Sequence, residues 1–334
     1  MFGKPKILLL ILLALTCLST ACERIYEDLA PCEIYLEFRF EYNMEFEDRF
    51  DPLVGSVDVF IFDSDEKLLL VRKAASSELI GGNRMALTDL LEYGRYKILT
   101  IGNLSDNFRI SDHSGLGPVP GQTSLDDVIF ELKRQSDRVD TEFPHLYFGE
   151  TIEVDYSRSL TAHTVFPVYL IRDTNKFVIR LENMDGDNTM AMSGAPYYTF
   201  DITTPEGAVY DRNNEPVKPG SPVTYLPYVL TLGGTFQYPV VGYLNTCRLL
   251  DRSGYDYKLI VSETLSGEQV WSYDLLKLLE LTQPDYPPIS FREYLDRRGD
   301  WELTIYYRGG GDTAFIAFGI RVNGWIVWFS DFGT

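Results

Sequence analysis

The chain has 334 residues, room for roughly two ordinary domains, and it is acidic: 49 Asp and Glu against 30 Lys and Arg give a formal charge of −19. A surface of that sign repels phosphate backbones and argues against nucleic acid as a partner. The 20 Phe and 22 Tyr favour sheet over helix bundle.

The first 22 residues read as a bacterial lipoprotein signal. Lys4 and Lys6 open it, Ile7–Leu15 is a short apolar run, and Leu18-Ser19-Thr20-Ala21-Cys22 is a small-residue cleavage box ending in cysteine. The run falls short of the ~20 residues a spanning helix needs. Cleavage before Cys22 and acylation there would hold the body on a membrane, each buried methylene contributing about 0.8 kcal/mol. The competing reading is an ordinary secretory signal whose box happens to contain cysteine. Cys17 leaves with the signal, so Cys32 and Cys247 remain as thiols. Outside the cytoplasm they either form a disulfide or stay as two buried free thiols.

Glu33–Tyr42 alternates without a break, with Ile34, Leu36, Phe38, Phe40 and Tyr42 on one face. That is a half-buried strand with one wet face. Further strands are expected at Ser56–Phe62, Tyr96–Gly102, Leu146–Val154, Val165–Ile171, Lys176–Asn183, Tyr198–Thr203, Tyr255–Ser262, Trp301–Tyr307, Phe315–Val322 and Trp325–Phe329. Short helices are expected after Ser124, over Tyr273–Leu281, and from a Ser290/Glu293 capping box to about Gly299. Few helical stretches separate the strands, so the expected fold is all-β, built of antiparallel sandwiches. A polar stretch at Asp155–His163 suggests the domain boundary: signal 1–21, one sandwich over 22–160 and a second over 161–334.

No local pattern supports catalysis. His113, His145 and His163 lack HExxH spacing, and no CxxC, GxSxG or phosphate-binding loop occurs in the body. Asp63-Ser64-Asp65 and Asp185-Gly186-Asp187-Asn188 look like calcium loops, yet a twelve-residue EF-hand count puts Ala74 or Pro196 where its glutamate belongs. Acidic turns are the simpler reading. No enzyme activity, cofactor or metal is expected.

The order of features resembles the FimB-type fimbrial anchor and minor-subunit lipoproteins of type V pili. The resemblance is carried by Cys22 and Glu27-Asp28-Leu29-Ala30-Pro31-Cys32, then by Phe38-Arg39-Phe40-Glu41-Tyr42-Asn43. Val57-Asp58-Val59-Phe60-Ile61-Phe62-Asp63, Tyr93-Gly94-Arg95-Tyr96 and Leu146-Tyr147-Phe148-Gly149 follow in order. Ile320-Arg321-Val322-Asn323-Gly324-Trp325-Ile326-Val327 is similar to the family's closing hairpin, with Asn-Gly suited to a two-residue turn.

The resemblance implies two transthyretin-like sandwiches and a lipid-held protein at the outer membrane, and the acids Glu23, Glu27 and Asp28 beside the lipid site point to export to the cell surface. It also implies fimbrial shaft or accessory subunits as partners, joined by β-strand exchange. In polymerising members an arginine-specific cut frees the first strand. Arg49 lies at the corresponding loop, and an anchor is expected to leave it uncut. Only a short stretch follows Trp325–Phe329, so no long donor tail is expected. The expected function is therefore a fimbrial anchor or accessory subunit. The alternative is a lipid-anchored glycan-binding protein of a nutrient-uptake system, using faces of Trp271, Trp301, Trp325 or Trp328.

Overall fold

The computed structural model describes residues 33–157, 163–185, 196–217, 222–232, 240–285, 287–310 and 313–329. Up to Arg172 the strands are β1 (Glu33–Arg39), β2 (Ser56–Phe62), β3 (Leu68–Ala75), β4 (Arg84–Ala86), β5 (Gly94–Gly102), β6 (Phe108–Ser111), β7 (Ile129–Leu132), β8 (Arg138–Val139), β9 (Tyr147–Tyr156) and β10 (His163–Arg172). Beyond it come β11 (Thr174–Asn183), β12 (Tyr198–Thr204), β13 (Val209–Asp211), β14 (Val223–Tyr225), β15 (Val229–Leu232) and β16 (Val240–Cys247). The last are β17 (Lys258–Glu263), β18 (Gln269–Asp274), β19 (Asp300–Gly310), β20 (Thr313–Val322) and β21 (Trp325–Trp328). Among the described residues three short helices, α1 (Phe50–Leu53), α2 (Leu275–Glu280) and α3 (Phe291–Arg297), interrupt them. The all-β expectation is met.

The first sandwich comes from one continuous order, β3-β2-β5-β9-β10-β1-β4. It folds on itself at β10, whose N-terminal part pairs with β1 while Leu170–Arg172 pair with β9. Between the layers the alternating face of β1 meets β2 and β5: Ile34, Leu36, Phe38 and Phe40 are 0% exposed against Val57, Val59, Ile61 and Ile98. Phe60, Phe62, Leu99 and Ile101 point the other way and join a second, larger core. Strands β2 and β5 are thus buried on both faces, which explains why Val57–Phe62 is apolar almost throughout rather than alternating.

The second sandwich stacks the sheet β15-β16-β11-β19-β20-β21 on the sheet β18-β17-β12-β14-β8. Two segments preceding β9 reach into it. β8 pairs with β14, and β7 pairs with β13 in the small sheet β13-β7-β6. Of the expected boundary stretch, residues 158–162 lie outside the described residues.

One expectation is corrected. The stretch after Ser124 forms one 3-10 turn, Leu125–Asp127, and then β7. Ser124 makes no side-chain cap, and Ile129–Leu132 exchange hydrogen bonds with β6 on one side while β7 meets β13 on the other. β-Branched Val128 and Ile129 with Phe130 suit a pleated, two-sided burial better than a helix. The antiparallel sandwiches also contain three parallel pairs, β1 with β10, β11 with β19 and β8 with β14. Each joins segments far apart in sequence, so no hairpin dictates the direction. The other two helices form where expected. Asp274 and Ser290 accept hydrogen bonds from the backbone N–H of Lys277 and Glu293, although Tyr273 itself stays in β18.

Candidate functional site

The first strand is locked from both faces. On its buried side Phe38 stacks on Phe50, ring centroids 5.7 Å apart. On its outer side Glu37 accepts from Arg39 on β1 and Arg84 on β4, each with a shortest contact of 2.6 Å. Hydrogen bonds from Arg84 and then Arg39 hold the Glu37 carboxyl below its ordinary range. Backbone pairing adds a parallel neighbour, β10, along all of Glu33–Arg39 and an antiparallel one, β4, over Tyr35–Glu37.

Arg49 follows the turn out of this strand, immediately before α1. Its N–H donates to the Phe40 carbonyl at 3.0 Å, and Asp48 Oδ1 accepts from the N–H groups of Phe40 and Phe50. Its guanidinium pairs with Glu45 at 2.5 Å. Phe50, on the far side of the peptide bond, is 1% exposed. An arginine-specific protease would have to pull Phe50 out of the core before it could seat this bond.

Cys22 and Cys32 lie outside the described residues. Cys247 ends β16 opposite Thr174, and it is buried with no disulfide among the described residues. Burial pushes its thiol up to about 12, which keeps it protonated and unreactive at neutral pH.

A polar junction joins the two sandwiches where β10 passes into β11. Asp173, the linking residue, is 2% exposed. Its Oδ1 accepts from Asn214 at 2.6 Å, and its Oδ2 has no protein partner among the described residues. Burial pushes this carboxyl up to about 7, against the pull of the Arg248 charge and the Asn214 hydrogen bond. Arg248 forms a two-pronged pair with Asp296 of α3 at 2.8 and 2.9 Å and donates to the Asn214 carbonyl. From the same helix, Arg297 donates to the carbonyls of Glu41 and Asn43 and lies over the rings of Tyr42 (4.1 Å) and Phe46 (4.5 Å). Nearby, Arg172 and His145 converge on Asp300 at 3.0 and 3.2 Å. Desolvation raises the Asp300 carboxyl, but His145 and Arg172 outweigh it and hold it at about 2. The sequence reading missed this junction: its partners are dispersed along the chain and no local spacing marks them.

The far end of the second sandwich is the hairpin of β20 and β21. Asn323 and Gly324 both have positive φ, 46° and 96°, which is the two-residue turn expected there. β21 is an edge strand and carries Trp325 (68% exposed), Ile326 (47%) and Trp328 (53%). Of the other tryptophans, Trp301 is a core residue donating to Asn175, and Trp271 is half-buried against Tyr273. Among the described residues no cluster of His, Cys, Asp or Glu suits a metal ion, and no helix is long and apolar enough to cross a membrane. The Asp63 turn is closed by its own backbone, Oδ1 accepting from the N–H groups of Asp65 and Lys67.

The family model of the fimbrillin-A associated anchor proteins Mfa1 and Mfa2 matches residues 28–331. The chain belongs to this Mfa2 anchor family. The family is structural rather than catalytic and implies a location at the cell surface or envelope. A crystal structure described as a candidate adhesin from Bacteroides ovatus is 46% identical and has a TM-score of 0.84, covering 93% of this chain and 99% of that one. A Bacteroides thetaiotaomicron protein described as a candidate polysaccharide-binding protein is 25% identical with a TM-score of 0.75, over 90% and 99% of the two chains. The fimbrial anchor protein Mfa2 of Porphyromonas gingivalis shares the fold at 16% identity, with a TM-score of 0.65 over 89% and 98%. No curated protein sequence matches the chain.

Proposed function

We propose that this Mfa2-family protein is a lipid-anchored fimbrial anchor or accessory subunit that attaches, seeds or terminates a strand-exchanged pilus at the outer membrane. Cys22 carries the lipid, and shaft or accessory subunits are the partners. The observation that carries the reading is β1 seated in its own sandwich, with Phe50 buried directly beyond Arg49. A subunit that accepts a neighbour's strand needs that place open; an anchor needs the opposite. Cutting at Arg49 would leave the lipid on a fragment tied to the body only through pairing, or through a Cys32–Cys247 bridge if one forms. The anchor therefore remains continuous, neither enzyme nor polymerising subunit.

Mass spectrometry of membrane-derived protein tests this. The expected result is a body continuous across Arg49-Phe50, whereas a dominant N-terminus at Phe50 overturns the anchor role in favour of a shaft subunit. Cys22→Ser should release the protein from the membrane fraction or leave the precursor unprocessed. Normal fatty-acid labelling of that variant would refute the lipid site. The exposed tryptophans of the hairpin and the description of the Bacteroides thetaiotaomicron relative favour one second reading, a lipid-anchored glycan-binding protein of a nutrient-uptake system.

A further inference from the structure

On the outer face of the terminal hairpin an aromatic ring lies close over the sheet backbone. Trp328 pairs with Gly319, and a Cβ placed on that glycine would stand 2.4 Å from Trp328 Cε3. The indole occupies the space a side chain would need, and with no side chain beneath it the residue remains 53% exposed. Pairing with β19 passes from Gly319 to Ala317 and skips Phe318, a bulge that brings Phe318 to the outer face beside the indole. The two rings are nearly parallel, 12° between planes with centroids 5.6 Å apart, and Tyr306 flanks them at 5.3 Å.

Guanidinium groups stand at the rim. Arg308 lies over Phe318 at 5.2 Å and is paired with Asp185. Arg321, on the same face as Gly319, donates to the Thr304 hydroxyl at 3.2 Å and has no carboxylate partner among the described residues. Glu302, the nearest acid along β19, is engaged by Arg180. In a chain of formal charge −19 an uncompensated arginine beside a flat exposed ring is a local reversal of sign. At physiological ionic strength charges beyond about 8 Å are largely screened, so these neighbours set the local field.

We propose that this face binds an acidic polysaccharide. The C–H face of a pyranose ring, slightly positive, stacks on the negative face of the Trp328 indole, and a uronic carboxylate is held by Arg321 with Arg308 beside it. Polar groups around a flat aromatic surface fit a sugar, which has one apolar face and a rim of hydroxyls. The proposal rests on the glycan-binding reading and names its ligand class; it is independent of strand exchange and of the lipid, and it stands or falls separately from the anchor role.

Titration calorimetry on the full-length protein in detergent, with a galacturonate hexamer as probe and a neutral glucose hexamer as control, tests it. The galacturonate hexamer should bind, weaken as salt is raised, and lose about tenfold in affinity in Trp328→Ala, the factor that ~1.4 kcal/mol represents. Arg321→Gln, which keeps the ring, should abolish the preference for the acidic over the neutral sugar. Thermal melting points matching the parent protein identify the variants as folded; Gly319→Ala, which lifts the indole off the sheet, supplies a second route if Trp328→Ala is unstable. No binding by the parent protein, equal binding of both hexamers, or binding unchanged in Trp328→Ala would each overturn the proposal. So would concentration-dependent self-association that Trp328→Ala abolishes, since the face would then be occupied by a second copy.

Discussion

Replacing Phe38 with alanine should unseat the first strand. The side chain is fully buried, stacked on Phe50 and surrounded by the apolar faces of β2 and β5. Backbone pairing to β10 and β4 fixes β1 within its layer, so the space does not close by simple collapse, and the loss falls in the range of about 3–5 kcal/mol for a buried phenylalanine. For a slope of about 3 kcal/mol per molar urea, a loss of about 4 kcal/mol lowers the unfolding midpoint by roughly 1.3 M. The comparison is Leu265→Ala at a site 75% exposed, which should stay within about 0.5 kcal/mol of the parent. Urea unfolding followed by fluorescence and circular dichroism reads both. Because Phe50 rests on Phe38, the same variant should also be cut faster at Arg49 by an arginine-specific protease. Equal midpoints for Phe38→Ala and Leu265→Ala would refute the burial of this face and with it the closed first sandwich.

Two further outcomes concern the junction. The Asp173 carboxyl is raised to about 7 in the folded protein from an ordinary value of 3.8, so between those values the folded state binds a proton the unfolded chain does not. Its contribution to stability is therefore present at low pH and is lost as pH rises from about 4 to about 7, on the order of 4 kcal/mol in all. Asp173→Asn, which keeps an acceptor for Asn214, should flatten that part of the melting temperature against pH profile; an unchanged slope would show that the group titrates normally. Arg248→Met strands the buried carboxylates of Asp296 and Asp173 and should cost about 3–5 kcal/mol, measured by denaturant unfolding at neutral pH.

The first strand was legible because one of its faces is core and the other carries polar side chains, which writes period two directly into Ile34, Leu36, Phe38 and Phe40. The closing turn was legible for a different reason: Asn323 and Gly324 tolerate the positive φ that a tight hairpin demands. β7 was not, because Asp126 and Asp127 after Ser124 imitate a helix start, and only pairing with β6 and β13 decides the matter. β8 and β13, of two and three residues, are too short to show any period. The junction was invisible since Arg248 and Asp296 meet through the packing of α3, and no local spacing records such a meeting. Among the four candidate tryptophans, nothing in the local run separates exposed Trp328 from core Trp301. Its exposure follows from β21 being an edge strand laid over a glycine, a property of the pairing and not of the run Trp325–Trp328.

The parallel pairing of β1 with β10 also sets how the molecule would carry tension. The two strands run the same way, from Glu33 beside His163 to Arg39 beside Tyr169, and β10 continues at its far end into the second sandwich. A pull on the N-terminal end of β1, resisted through the C-terminal end of β10, draws the strands past each other lengthwise. Every rung between them then resists at once, like a lap joint. An antiparallel partner leaving from the neighbouring end would instead be peeled, one hydrogen bond after another.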